Sequence, residues 1–212
     1  MHTLLTFGDS NTHGTPPIET RGEVRRFPAG VRWPTVALGE LGADWLLVEE
    51  GLPGRTTMFD DPIMGTHMDG RLGLKIALAS HGPIDVLTIM LGTNDSKMMF
   101  GTDAERITAG MAGLLAIAQS EEMQDRHGGF KTLVICPPAV KVQGPINDIF
   151  YKADGKGAAL APHYKALAAH WGVHFFDAGT VIETSQQDGV HFTADAHQAL
   201  GQAIAKQVKA IK

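Results

Sequence analysis

Five short apolar runs punctuate the chain, at residues 4–7, 45–49, 85–91, 132–136 and 174–176. The third (Val86-Leu87-Thr88-Ile89-Met90-Leu91) and the fourth (Leu133-Val134-Ile135-Cys136) are apolar at nearly every position, as strands covered on both faces must be. Between the runs, apolar residues recur three and four apart, the spacing of one helix face. Thr102 with Glu105 has the pattern of a capping box, ahead of Ile107, Met111, Leu114, Leu115 and Ala118. A last helix is expected from Thr193, with Leu200, Ile204, Val208 and Ile211 on its buried stripe, and shorter ones near 33–41, 72–80 and 158–170.

Strands alternating with helices imply right-handed crossovers and an α/β fold. The expectation is a three-layer α/β/α sandwich with a five-stranded parallel sheet in flavodoxin-like order. A chain of 212 residues is long enough to bury one such core, so residues 1–212 are read as a single domain. A parallel sheet gathers the carboxyl ends of its strands on one edge, where ligands bind. Two Gly/Pro-rich segments, 15–32 and 137–157, follow strand ends. Loops of that length line a site, bury an interface or are disordered.

Charge narrows the field further. Eighteen Lys and Arg stand against 23 Asp and Glu, a net charge of −5 that gives no support to nucleic-acid binding. Cys136 is the only cysteine, so an intrachain disulfide is excluded. No run approaches the ~18 consecutive apolar residues of a membrane span. The first residues carry neither a basic nor a long apolar leader segment, so a cytoplasmic location is expected.

The candidate chemistry sits just beyond the strands. Ser10, in Gly8-Asp9-Ser10-Asn11, would expose its hydroxyl at a strand-to-helix turn, although a helix cap would explain the same residues. Asp188 and His191 are three residues apart, so the carboxylate can hold one imidazole nitrogen and leave the other to take a serine proton. A turn at Asp188-Gly189 is the plainer explanation. Asn94 ends the most apolar strand and offers an amide donor, or merely an Asx turn. Gly54 permits close backbone approach to a ligand. His13 is placed to line the same pocket. Each signal is ordinary alone; together they fall at the ends of strands on one sheet edge.

The alternatives fit less well. An aspartyl-phosphate enzyme would want a carboxylate where Asn11 stands. A dinucleotide site needs G-x-G-x-x-G after the first strand, and residues 8–14 lack it. Cys136, between Ile135 and Pro137, reads as a buried strand-end residue rather than a nucleophile. Asp60, Asp61, His67 and Asp69 are close in sequence but lack the spacing of a metal centre, so neither metal nor cofactor is expected. A non-catalytic α/β binding module could use the same cleft without turnover.

Taken as a set, these motifs resemble the SGNH hydrolases, also called GDSL-type esterases, across essentially the whole chain. The resemblance implies Ser10 as nucleophile, Asp188 and His191 as acid and base, and an oxyanion hole from Ser10, Gly54 and Asn94. Residues 44–50 with Glu50-Gly51-Leu52, residues 89–95 and Phe175-Phe176-Asp177-Ala178-Gly179 are similar to the arylesterase and acyltransferase branch. That branch implies a small-molecule ester substrate with a short acyl group, and transfer to water, alcohols or peroxide. It also implies a homo-oligomer. A carbohydrate O-acetyl deacetylase of the same fold is the alternative. The 15–32 and 137–157 loops have no clear counterpart in the pattern and leave acyl length and acceptor open.

Overall fold

A computed structural model describes residues 1–153 and 156–212. Five parallel strands, β1 (His2–Gly8), β2 (Trp45–Gly51), β3 (Val86–Met90), β4 (Lys131–Cys136) and β5 (His174–Asp177), form one sheet in the order β2-β1-β3-β4-β5. This is the expected flavodoxin-like order. The chain winds outward in both directions from between β1 and β3, which opens a crevice at their carboxyl ends.

Side-chain alternation along the strands builds two cores. Leu5, Phe7, Leu87, Ile89, Val134 and Cys136 face α3 (Gly70–Ser80), α4 (Ala104–Ala118) and α6 (Lys156–Trp171). Leu4, Val86, Met90, Leu133 and Ile135 face α2 (Trp33–Leu41) and α7 (Ala194–Ile211). Period-two alternation under cover on both faces is why β3 and β4 read as continuous apolar runs.

Several boundaries move, each for a local reason. The helix expected to open at Thr102 is capped by Asp103, whose carboxylate accepts from Arg106 N–H at 2.8 Å. Thr102 instead donates to the Asp95 carbonyl at 2.6 Å, which fixes the segment after β3. Helix α3 opens earlier than expected because the Asp69 side chain caps it. Helix α5 (Glu121–His127) has no counterpart among the expected elements, because it buries only Met123 and His127 and shows no stripe. Gly155, part of the expected 137–157 loop, lies outside the described residues.

The 137–153 loop packs inward, whereas most of 15–32 stays at the surface ahead of the buried Trp33 that opens α2. Val140, Ile146 and Phe150 are buried with Val190, against Ile18, Val142 and Ile149. Trp33 is fully buried. Of the large apolar side chains in these segments, Val24 and Tyr151 are exposed. Arg21 and Asp148, both exposed, pair at 3.1 Å and join the two loops.

Candidate active site

Ser10 begins the four-residue helix α1 (Ser10–His13) immediately after β1. Asp9 caps it: its carbonyl accepts from Thr12 and His13 N–H and its carboxylate from Asn11 N–H at 2.9 Å. The turn therefore lifts the Ser10 hydroxyl off the sheet edge, with its N–H among the helix-start amides that have no acceptor within the helix.

The loop before α7 brings in the partners. Gly189 has φ +72° and sits so close to Lys141 that a Cβ would stand 1.9 Å from its carbonyl oxygen. That tight turn folds Asp188 back on its own segment, where Oδ1 accepts from Val190 N–H at 3.0 Å and His191 N–H at 2.9 Å. Asp188 Oδ2 accepts from the Ile18 N–H at 2.7 Å and from the His191 ring at 2.6 Å. Since a carboxylate only accepts, His191 Nδ1 carries the proton and Nε2 presents its lone pair. Ser10 Oγ lies 3.1 Å from that Nε2.

Burial would raise the Asp188 pKa, but the His191 hydrogen bond and charge outweigh it, helped by Ile18 and Val190 N–H. The carboxyl is held below its ordinary value. It is ionised at neutral pH and orients the imidazole. Serine, imidazole and buried carboxylate thus form one hydrogen-bonded row, the arrangement that lets a hydroxyl lose its proton as it attacks a carbonyl.

The remaining expected residues surround this row. Gly54 lies in the turn after β2 at φ +91°, where a Cβ would meet the Met64 sulfur and methyl at 2.6 Å. Asn94 follows β3, and its amide nitrogen donates to the Arg55 carbonyl at 3.1 Å and stands 3.4 Å from Asp9 Oδ2. The second contact is long enough for a developing oxyanion to replace it. Ser10, Gly54, Asn94 and His191 all line one cavity of about 250 Å³. Ile18, Ile146, Phe150 and Val190 form its apolar wall, and His13, Thr15, Glu23 and Arg25 stand among its polar lining. His13 keeps its place beside the site, its pKa lowered by burial and by Arg26 and Arg32.

A GDSL-like lipase/acylhydrolase family model matches residues 6–199. The chain belongs to that family. Among solved structures, the native aryl esterase of M. smegmatis is 39% identical, with a TM-score of 0.94 and both chains covered in full. A carbohydrate acetylesterase from Sinorhizobium meliloti is 36% identical over the whole of both chains, also with a TM-score of 0.94. A second carbohydrate acetylesterase family member from the same organism is 31% identical, with a TM-score of 0.90, covering all of this chain and 99% of the other. No match is found among curated proteins. This GDSL-family chain is a carboxylic ester hydrolase acting on small esters.

The family assignment makes the other candidates easier to place. Cys136 is buried at the end of β4, and burial pushes its thiol far up, away from nucleophilic use. Asp61 pairs with Lys97 at 3.0 Å, and Asp69 caps α3 and holds Arg71. Among the described residues, no group of three or more His, Cys, Asp or Glu is placed to hold a metal. None of their helices is long and apolar enough to cross a membrane.

Two contributors escaped the sequence reading. The Ile18 N–H reaches Asp188 across 170 positions, and a backbone donor leaves no mark on residue identity. Asn11 donates through its side chain to the Val190 carbonyl at 3.1 Å, tying the Ser10 turn to the His191 loop. The asparagine was visible in the motif, but its partner 179 residues away was not.

Asp9 supplies a stability test. Burial raises its pKa from 3.8 to about 6, against the lowering effects of Asn11 N–H, His191, Arg55 and Lys97. The folded protein therefore binds a proton that the unfolded chain has released, so this group's contribution is fullest below pH 3.8 and is lost as pH rises to about 6. Asp9→Asn should gain stability relative to wild type across that window, by at most about 3 kcal/mol, then hold level at higher pH. Urea titrations of both proteins at pH 4, 5, 6 and 7.5 measure this; a pH-independent difference contradicts it.

Proposed function

We propose that this protein cleaves short-chain acyl esters, above all acetyl esters, through an acyl-enzyme on Ser10. The observation that carries the reading is the unbroken Ser10–His191–Asp188 row in the wall of a small, largely apolar cavity. Ser10 Oγ attacks the ester carbonyl as His191 Nε2 takes its proton. The tetrahedral oxyanion is received by the Ser10 and Gly54 N–H groups and the Asn94 amide. Its collapse breaks the bond to the leaving alkoxide, which takes the proton from His191. Water then adds to the acyl group with His191 as base, releasing the acid and restoring Ser10; an alcohol or peroxide in its place would yield the ester or peracid.

The cavity volume supports a short acyl group, since about 250 Å³ lies below the roughly 300–1,000 Å³ common for drug-sized ligands. A panel of acetyl, butyryl and octanoyl esters, with and without added alcohol, is the direct test. The acetyl ester should have the highest kcat/KM and the octanoyl ester should fall at least about 100-fold below it. Equal rates along the series would refute the short-acyl reading. New ester formed with added alcohol would establish transfer.

A second reading, removal of acetyl groups from carbohydrates, is supported by His13, Thr15, Glu23 and Arg25, which can meet sugar hydroxyls. Self-association, which the resemblance also implies, is proposed on the exposed apolar residues near the site. Val24 is 96% exposed and Tyr151 54%, while Ile63 is 82% exposed beside Met64 of the cavity wall. A second copy covering these residues would narrow the approach to Ser10. Light scattering at micromolar concentration should give a mass above that of one chain, and a monomer would end the proposal.

A further inference from the structure

Arg55 is 5% exposed, and its guanidinium lies 4.1 Å above the Phe7 ring. Its Nη1 donates to the Gly8 carbonyl at 2.9 Å and also to the Glu50 carbonyl. It therefore clamps the carboxyl end of β1, two residues before Ser10, to that of β2. Room for it is built in: a Cβ on Gly73 of α3 would stand 3.2 Å from Arg55 Nη2. The same residue follows Gly54 directly, and its carbonyl accepts from the Asn94 amide at 3.1 Å. One residue thus touches the supports of all three groups assigned to the oxyanion hole.

Stability is a poor explanation for this placement. Burying a cation is costly, and Arg55 Nε has no hydrogen-bond partner among the described residues. The Gly8 carbonyl already accepts from Leu52 N–H at 3.0 Å, so the sheet edge does not need the guanidinium for its own satisfaction. Burial lowers the arginine pKa from 12.5 to about 10, so it stays charged at neutral pH and its donors stay fixed.

We propose that Arg55 is a positioning residue that sets the mutual geometry of the three oxyanion donors, acting through the Gly8 backbone, the Gly54-Arg55 turn and the Asn94 amide. The inference rests on the assignment of Ser10, Gly54 and Asn94 as those donors. A group that aligns donors for the oxyanion affects the transition state more than the bound ester, because the carbonyl oxygen becomes charged only on attack.

The experiment is a double-mutant cycle with phenyl acetate, using Arg55→Met, Arg55→Lys, Asn94→Ala and the Arg55→Met/Asn94→Ala pair. Circular-dichroism melts fix an assay temperature at which each variant is folded. Arg55→Met should lower kcat about 10- to 100-fold with KM within about threefold, and Arg55→Lys should recover part of the loss. Asn94→Ala alone should cost about 10²–10³ in kcat. Adding Arg55→Met to it should cost less than Arg55→Met costs in the wild type, because one of the three donors it positions is already gone while the Ser10 and Gly54 N–H groups still depend on it. If Arg55→Met does not fold, the same cycle is run with Arg55→Lys, whose shorter reach should still lower kcat and couple to Asn94→Ala.

Full kcat in a folded Arg55 variant, a change confined to KM, or losses that multiply in the pair would overturn the positioning role. If Asn94→Ala itself leaves kcat intact, the oxyanion-hole assignment fails, and this inference with it. Losses that multiply while Asn94→Ala remains slow would overturn the Arg55 role alone.

Discussion

Ser10→Ala is expected to lower kcat on an aryl acetate by about 10⁴–10⁶-fold, leaving the fold and the cavity as they are. The substitution removes one oxygen, the one 3.1 Å from His191 Nε2. Its loss removes the hydroxyl that donates to His191 Nε2 and would take up the acyl group, but keeps the Asp188 pair, so His191 should remain oriented. What survives is slow attack by water held in the cavity. Ser10 makes one neutral side-chain hydrogen bond, so the stability change should be about 1 kcal/mol. Steady-state kinetics with a serine-directed organophosphonate checks both halves: the wild type should label at Ser10 and the variant should not. More than about one-tenth of wild-type kcat in the variant would remove Ser10 from the role of nucleophile.

Asp188→Asn should cost about 10⁴-fold in kcat, more than its similar shape suggests. Asp188 accepts four hydrogen bonds, from Ile18, Val190 and His191 N–H and from the imidazole. An amide can present one oxygen only. If its NH2 faces His191, Nδ1 must become the acceptor and the proton moves to Nε2, where it points at Ser10 and cannot take the hydroxyl proton. If the oxygen faces His191, the NH2 meets backbone donors and the turn is strained.

The wild-type carboxyl is held below its ordinary 3.8, so its stabilising contribution is complete above that value and is lost as pH falls through the lower, folded pKa. Wild-type and Asp188→Asn kinetics at pH 7 to 8 test the rate, with denaturant titration of each confirming the fold. A loss of less than tenfold would mean that His191 is oriented by its surroundings without the carboxylate.

Much of this could be read along the chain because the signals are local. A strand covered on both faces must be apolar at successive positions, which is why β3 and β4 stood out. A strand end followed by Gly8-Asp9-Ser10 or Gly92-Thr93-Asn94 marks a place where chemistry can be mounted. Asp188 and His191 could be paired because a three-residue separation is spanned by a single turn. Weakly amphipathic elements were harder. Helix α5 buries too few side chains to show a period, and the capping box read at Thr102 gives way to a cap at Asp103. The contact of Thr102 with the Asp95 carbonyl, made through the tertiary fold, takes it out of the capping role.

The sequence by itself determined the layered α/β class, the strand positions and the residue types available at the strand ends, since these follow from periodicity and turn chemistry within a few residues. Tertiary structure decided which of those ends meet. It placed Ser10 against His191 across 181 positions, brought the Ile18 amide onto Asp188, and set Arg55 beneath the Gly8 carbonyl. It also turned most of the apolar side chains of the 137–153 segment inward around Val190. Such contacts depend on strand order and loop path, and their donors are often backbone amides common to every residue, so no local pattern can specify them.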